Sequence, residues 1–211
     1  MKIEVKGVSK CFSDHIIFND VNLTFESGNI YGLIGCNGSG KSVFLKLLCS
    51  FYAPSSGEIL YDGEDIVCYD KFPPRTRALI EKPHFIPDLS GFDNLKLLAS
   101  IENIIGDKEI NDVLKKVGLY DDKDKLFHKY SLGMKQKLGI AQVLMENPDV
   151  MILDEVFNGL DDSSCKTIRE LLLSEVKKGK IIILATHIKD DIEILCDEVY
   201  KIDNKKILKI K

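Results

Sequence analysis

Long apolar runs are missing from this 211-residue chain. A membrane-spanning helix needs roughly 20 consecutive apolar residues, and the strongest candidate, VFLKLLCSFYA, is short and carries Lys46 inside it. Any link to a membrane is therefore expected to run through a partner protein. A C-x-x-C pair is also missing: Cys11, Cys36, Cys49, Cys68, Cys165 and Cys196 are scattered. The opening MKIEVKGVSK alternates charge with apolar residues where a secretory leader would have an apolar core. These absences predict a cytosolic protein with reduced thiols. Basic residues are not in excess, 29 Lys and Arg against 33 Asp and Glu for a net charge of -4. Unspecific capture of phosphate backbones needs a broad positive surplus, so no nucleic-acid partner is expected. Neither an internal repeat nor a low-complexity linker occurs.

What is present suits one packed domain: 45% of residues are hydrophobic and 29% charged, enough to bury a substantial core at this length. The runs KIEVKGVSKCF, HIIFNDVNLTF and ESGNIYGLIG read as strands, and VFLKLLCSF after Lys41 changes to helical spacing. EILYDGEDI then resumes the strand pattern. Helical spacing fills FDNLKLLASIENII, EINDVLKKVGL and LGMKQKLGIAQVLM, which predicts a helical lobe at about 88–147. VMILDE and KIIILATH are continuous apolar runs separated by the helical SSCKTIRELLLSEVKKG, the pattern of buried parallel strands with a helical crossover. EVYKIDNKKILKIK reads as a hairpin turning at Asp203 and Asn204. The expected fold class is α/β: a mostly parallel sheet, an N-terminal antiparallel β subdomain and an inserted helical lobe.

Gly35–Ser42 reads GCNGSGKS, the full G-x-x-x-x-G-K-[ST] pattern, between a strand-like and a helical segment. Gly35, Gly38 and Gly40 let the backbone curl through Asn37 and Ser39 with N–H groups facing a phosphate, and the helix that follows, from Lys41 through Val43, adds its dipole. Lys41 is expected on the β and γ phosphates and the Ser42 hydroxyl on Mg2+. In VMILDE, adjacent carboxylates point in different directions. Asp154 is assigned to Mg2+, through its water shell, and Glu155 to orienting or deprotonating an attacking water. His187 ends the second apolar run, where an open α/β sheet forms its ligand site, and its imidazole can meet both γ phosphate and Glu155. Phe12 has two readings, a ring stacked on a purine or a core aromatic of a small antiparallel sheet, for which Phe18 and Phe25 are also available. In KYSLGMKQKLGIA, Ser131 can cap a helix and Gly133 permits a close backbone approach. A second anion-binding helix end makes most sense completing the site of another subunit.

With these motifs in order, the chain resembles the ATP-binding subunit of an ATP-binding cassette (ABC) transporter over essentially its whole length. GCNGSGKS is similar to the Walker A loop, VMILDE to the Walker B strand with its catalytic glutamate, NGLD to the D-loop and ATH to the switch-histidine segment. YSLGM stands where that family has LSGGQ. The resemblance implies ATP and Mg2+ as ligands and a head-to-tail dimer in the ATP-bound state, homodimeric or with a paired ABC subunit, in which Ser131 and Gly133 face the other subunit's ATP. It adds Asp161 of the D-loop to the nucleotide site. It implies a transmembrane permease as partner, placing the subunit on the cytoplasmic face of the membrane. Glu81 stands where the family has a Mg2+-contacting glutamine, and is the third expected metal residue. The IEKP and YSLGMKQ segments resemble the ATPases of bacitracin- and lantibiotic-type exporters. Rival readings are a soluble ABC ATPase of a non-transport complex and an ATP-binding regulator.

Overall fold

The computed structural model describes residues 1–66 and 72–211; Cys68 lies outside them. Strands β1 (Lys2–Phe12) and β2 (His15–Glu26) pair antiparallel through a turn at Ser13 and Asp14. Their inward positions, Ile3, Val5, Val8, Phe18, Val21 and Phe25, are all buried. β3 (Asn29–Ile34) leaves this sheet for another, and α1 (Lys41–Leu48) follows it. β4 (Ser56–Tyr61) returns antiparallel to β1, with the two-residue β5 (Glu64–Asp65) at its edge. The first sheet therefore runs β2-β1-β4-β5.

The second sheet is built by crossovers. β6 (Thr76–Leu79) precedes the helical stretch of α2 (Gly91–Glu102), α3 (Asp107–Lys116) and α4 (Leu132–Leu144). β7 (Val150–Asp154), α5 (Asp162–Val176), β8 (Ile181–Ala185) and α6 (Lys189–Leu195) follow, and β9 (Glu198–Asp203) with β10 (Lys206–Lys209) closes the chain. The order is β10-β9-β3-β8-β7-β6, parallel except for β10. The expected α/β class with an antiparallel N-terminal sheet is what the chain adopts. The expected terminal hairpin forms, but the residues forced to positive φ are Asn204 (48°) and Lys205 (63°), one position later than the sequence pattern indicates.

β7 and β8 are buried at every position, which explains their unbroken apolar sequence. Alternation splits their side chains. Val150, Ile152, Ile181 and Ile183 point into the core shared with α1 and the first sheet; Met151, Leu153, Ile182 and Leu184 point into the core shared with α2–α6. Each such side chain contributes about 1.5–3 kcal/mol on burial, so the strands are clamped from both faces. Their carboxyl ends are thereby fixed in one register. Among the described residues no helix is long and apolar enough to cross a membrane.

Candidate functional site

The register of the parallel strands decides which loops meet. Leu33 of β3 and Asp154 of β7 both lie level with Ala185 of β8. The Gly35–Gly40 loop, the Asp154–Glu155 pair and the Thr186–His187 segment therefore leave the sheet along one edge, the usual place for a ligand in such folds. Gly38 (φ 78°) and Gly40 (φ 104°) take conformations that favour glycine. A Cβ on Gly40 would also stand 2.8 Å from Phe18 Cζ. Gly35 is required for space: Ser39 Oγ sits 2.5 Å from where its Cβ would be.

A cavity of about 390 Å3 opens at this edge, lined by Ile17, Asn37, Gly38, Gly40, Lys41, Ser42, Val43, Asp154 and Glu155. Eight of these nine residues were expected at the nucleotide site and thus share one wall; Ile17 was not legible in the motifs. Lys41 Nζ donates to the carbonyls of Gly35 (2.9 Å) and Cys36 (3.3 Å), so its ammonium is held inside the loop's curl. Ser42 Oγ donates to Asp154 Oδ2 at 2.7 Å. Two hard oxygen donors side by side, one of them a buried carboxylate, suit Mg2+, which takes one or two protein oxygens and completes its shell with water and substrate phosphates. Among the described residues no three His, Cys, Asp or Glu side chains gather into an all-protein cage.

Glu155 is the first residue past β7 and has φ 52°, a left-handed conformation uncommon outside glycine. Its N–H donates to the Ala185 carbonyl at 2.9 Å, which pins the turn to the neighbouring strand. Its Oε2 lies 2.7 Å from His187 Nδ1 and accepts from Asn158 Nδ2 at 3.3 Å. The carboxylate is thus oriented from two sides while its face to the cavity stays open.

Other expected residues lie elsewhere. Ser131 caps α4, accepting from Met134 N at 3.2 Å, and Gly133 packs so closely that a Cβ would stand 2.9 Å from the Gly159 carbonyl. Neither lines the cavity. The α4 helix is nevertheless tied to the site's rear through Gln136 Nε2, which is 3.5 Å from the Glu155 carbonyl. Asp161 caps α5: its carboxylate accepts from Ser163 Oγ (2.6 Å), Ser164 N (2.8 Å) and Ser164 Oγ (2.9 Å). Those bonds, led by Ser163, hold its carboxyl well below the usual aspartate range.

Glu81 is engaged differently from the metal role expected of it. It lines no part of the cavity, and its Oε1 accepts from Lys46 Nζ of α1 at 2.5 Å. The pairing raises the lysine's pKa, with the Glu81 hydrogen bond as chief cause. Phe12 is not a core residue: it is 40% exposed, while Phe18 and Phe25 fill the antiparallel sheet's core. Its ring meets Tyr52 edge-on at 5.3 Å and lies 4.6 Å from Lys10 Nζ. Lys46 and Tyr52 carried no motif signal, because each acts through a contact with a distant segment, and Gln136 stood out only as the end of the YSLGMKQ segment.

Comparison with known proteins agrees with this geometry. The family model described as ABC transporter matches residues 18–158. The chain is 37% identical over 205 residues to the uncharacterized ABC transporter ATP-binding protein YybJ of Bacillus subtilis, covering 97% of this chain and 94% of that protein. It is 34% identical to the lantibiotic transport ATP-binding protein SrtF of Streptococcus pyogenes, covering 98% and 89%. A solved structure of the ATP-binding subunit of an ABC transporter superposes with a TM-score of 0.91 at 26% identity, over 100% of this chain and 90% of that one. The walled phosphate loop, the paired Ser42 and Asp154, and the family match lead to one conclusion: this chain belongs to the ABC transporters, as an ATP-binding and ATP-hydrolysing subunit.

Proposed function

We propose that residues 1–211 form a single nucleotide-binding domain, with a helical lobe at about 88–147, that drives a separate transmembrane permease from the cytoplasmic face of the membrane. The similarity to SrtF, a lantibiotic transport ATP-binding protein, supports a peptide antibiotic or similar amphiphile as cargo, and export is the direction we propose. The observation that carries the reading is the double pairing at one sheet edge, Ser42 with Asp154 and Glu155 with His187, each at 2.7 Å beside the glycine loop. ATP phosphates lie in the Gly35–Gly40 curl, with Lys41 on the β and γ phosphates and Asn37, Ser39 and Val43 completing the loop. Ser42, and Asp154 through the ion's water shell, would hold Mg2+, which would neutralise charge on the phosphate oxygens. Glu155 orients and deprotonates the attacking water, and His187 fixes that carboxylate and meets the γ phosphate. Phe12 offers its exposed face to adenine.

Ser131 and Gly133 lie outside their own chain's cavity, which supports a head-to-tail dimer in which each α4 end, together with Asp161, closes the other subunit's site. Closure on ATP and opening after hydrolysis then move the permease.

Glu155→Gln tests the assignment. It keeps the side chain's shape and its contact with Asn158 but removes the base, so kcat falls by about 10²–10⁴ while ATP binding persists. Unchanged turnover refutes the role. Affinity purification from gently solubilised membranes tests the assembly: a stoichiometric polytopic membrane protein supports the permease reading, and ribosomal or chromosomal partners alone overturn it.

A further inference from the structure

Asp191, in the first turn of α6, is fully buried, although none of the nucleotide-site motifs includes it. Its Oδ1 accepts two hydrogen bonds from Arg169 of α5, from Nε at 2.9 Å and Nη2 at 2.5 Å. Its Oδ2 accepts from Thr186 Oγ1 at 3.3 Å, and Thr186 Oγ1 in turn accepts from Ile188 N at 3.1 Å. Thr186 and Ile188 flank His187. On the other side, the Arg169 guanidinium carbon lies 5.6 Å from the ring centre of buried Phe157, the residue before Asn158.

The two loops that this ion pair touches are therefore the two that hold Glu155: His187 and Asn158 both reach its Oε2. Asp191 is fully buried and the Arg169 side chain only 19% exposed; an ion pair so far withdrawn from water is a poor source of stability, since the desolvation cost offsets the attraction, and apolar residues of similar volume often serve as well. Its value lies in fixing geometry. We infer that Arg169 and Asp191 are positioning residues, a brace anchored on buried Asp191 that holds the His187 loop and the 156–160 turn in register so that Glu155 faces the cavity. The inference rests on Glu155 being the base proposed above.

The test uses the full chain and compares wild type with Arg169→Met/Asp191→Leu, which removes both charges at similar volume, with Thr186→Val, which removes only the hydroxyl bridge, and with Arg169→Lys, which keeps an ion pair. ATP affinity, KM and kcat are measured for each, with a thermal melt to certify folding. Misplacing a catalytic group by about 1 Å costs up to about a hundredfold. The apolar pair is accordingly expected to keep ATP affinity and KM within about threefold while kcat drops at least about tenfold; Thr186→Val drops kcat less, and Arg169→Lys restores most of it. If the apolar pair does not fold, Thr186→Val decides. A folded apolar pair, or in its place Thr186→Val, with wild-type kcat overturns the brace. Glu155→Gln is run alongside: its normal turnover refutes the proposed base, whereas an inactive Glu155→Gln beside fully active brace variants refutes the brace alone.

Discussion

Replacing Gly40 by alanine should damage the fold and the nucleotide site together, by an amount that can be worked from its surroundings. Its φ of 104° is disfavoured for any residue with a Cβ, at a cost of about 1–2 kcal/mol. The new methyl carbon would also lie 2.8 Å from Phe18 Cζ and 2.9 Å from Ile17 Cγ2. Phe18 is fully buried and packs edge-on against Phe44 at 5.9 Å between ring centres, so it has no room to retreat. Overpacking of this kind costs about 1–3 kcal/mol, for a total of about 2–5 kcal/mol. In a chain of this size each kcal/mol lowers Tm by about 2–4 °C, so calorimetry should show a fall of roughly 4–20 °C. Gly63→Ala is the matched control: φ there is 88°, but no heavy atom lies within 4 Å of its Cβ position, leaving only the backbone cost. Equal melting temperatures for the two variants would refute the packing argument. ATP affinity should fall only in Gly40→Ala, because Gly63 is not among the residues lining the cavity.

Other perturbations separate stability from activity. Glu175 is buried; burial pushes its pKa up, but hydrogen bonds from Lys178 (2.6 Å) and Lys180 (2.5 Å) outweigh this and leave it lowered. Its contribution is therefore complete above about pH 4.3, the ordinary glutamate value, and is lost as pH falls through the lowered native value; acid melts of Glu175→Gln should converge with wild type there. Persistent separation at low pH would count against the linkage. Glu81→Gln removes a pair whose carboxylate is 61% exposed, so stability should change by less than about 1 kcal/mol and Mg2+-dependent ATP binding should stay near wild type; a tenfold loss of that binding would restore Glu81 to the metal set. Ser131→Ala removes the α4 cap at a cost of about 1 kcal/mol, and should lower the affinity of the ATP-bound dimer well beyond its effect on monomer ATP binding. Equal losses in both assays would argue against a role across the subunit interface.

Local pattern carried much of the outcome. GCNGSGKS, VMILDE and KIIILATH declared their positions because a phosphate loop needs glycine at particular backbone angles and a strand buried on both faces must be apolar throughout. Shorter elements were harder to see. β6 is the four residues TRAL at a sheet edge, with polar Thr76 and Arg77 occupying half of it, too brief and mixed for periodicity to register. α6 has seven residues, with Lys189, Asp190 and Asp191 at its start, and resembles a loop by composition.

The sequence by itself determined the residue types on offer, glycines and a lysine suited to phosphate, oxygen ligands suited to Mg2+ and a carboxylate suited to act as base, and that they stand at the ends of buried strands. Those properties depend on residue type and near-neighbour spacing. Tertiary structure decided the assignments that depend on which distant segments meet. It paired Glu81 with Lys46, tucked Asp161 into the α5 cap, kept Ser131 and Gly133 out of their own chain's cavity, and set Arg169 against Asp191 beneath the loops that hold Glu155. Side-chain partners far apart in the chain are chosen by strand register and helix packing, and no local spacing encodes those distances.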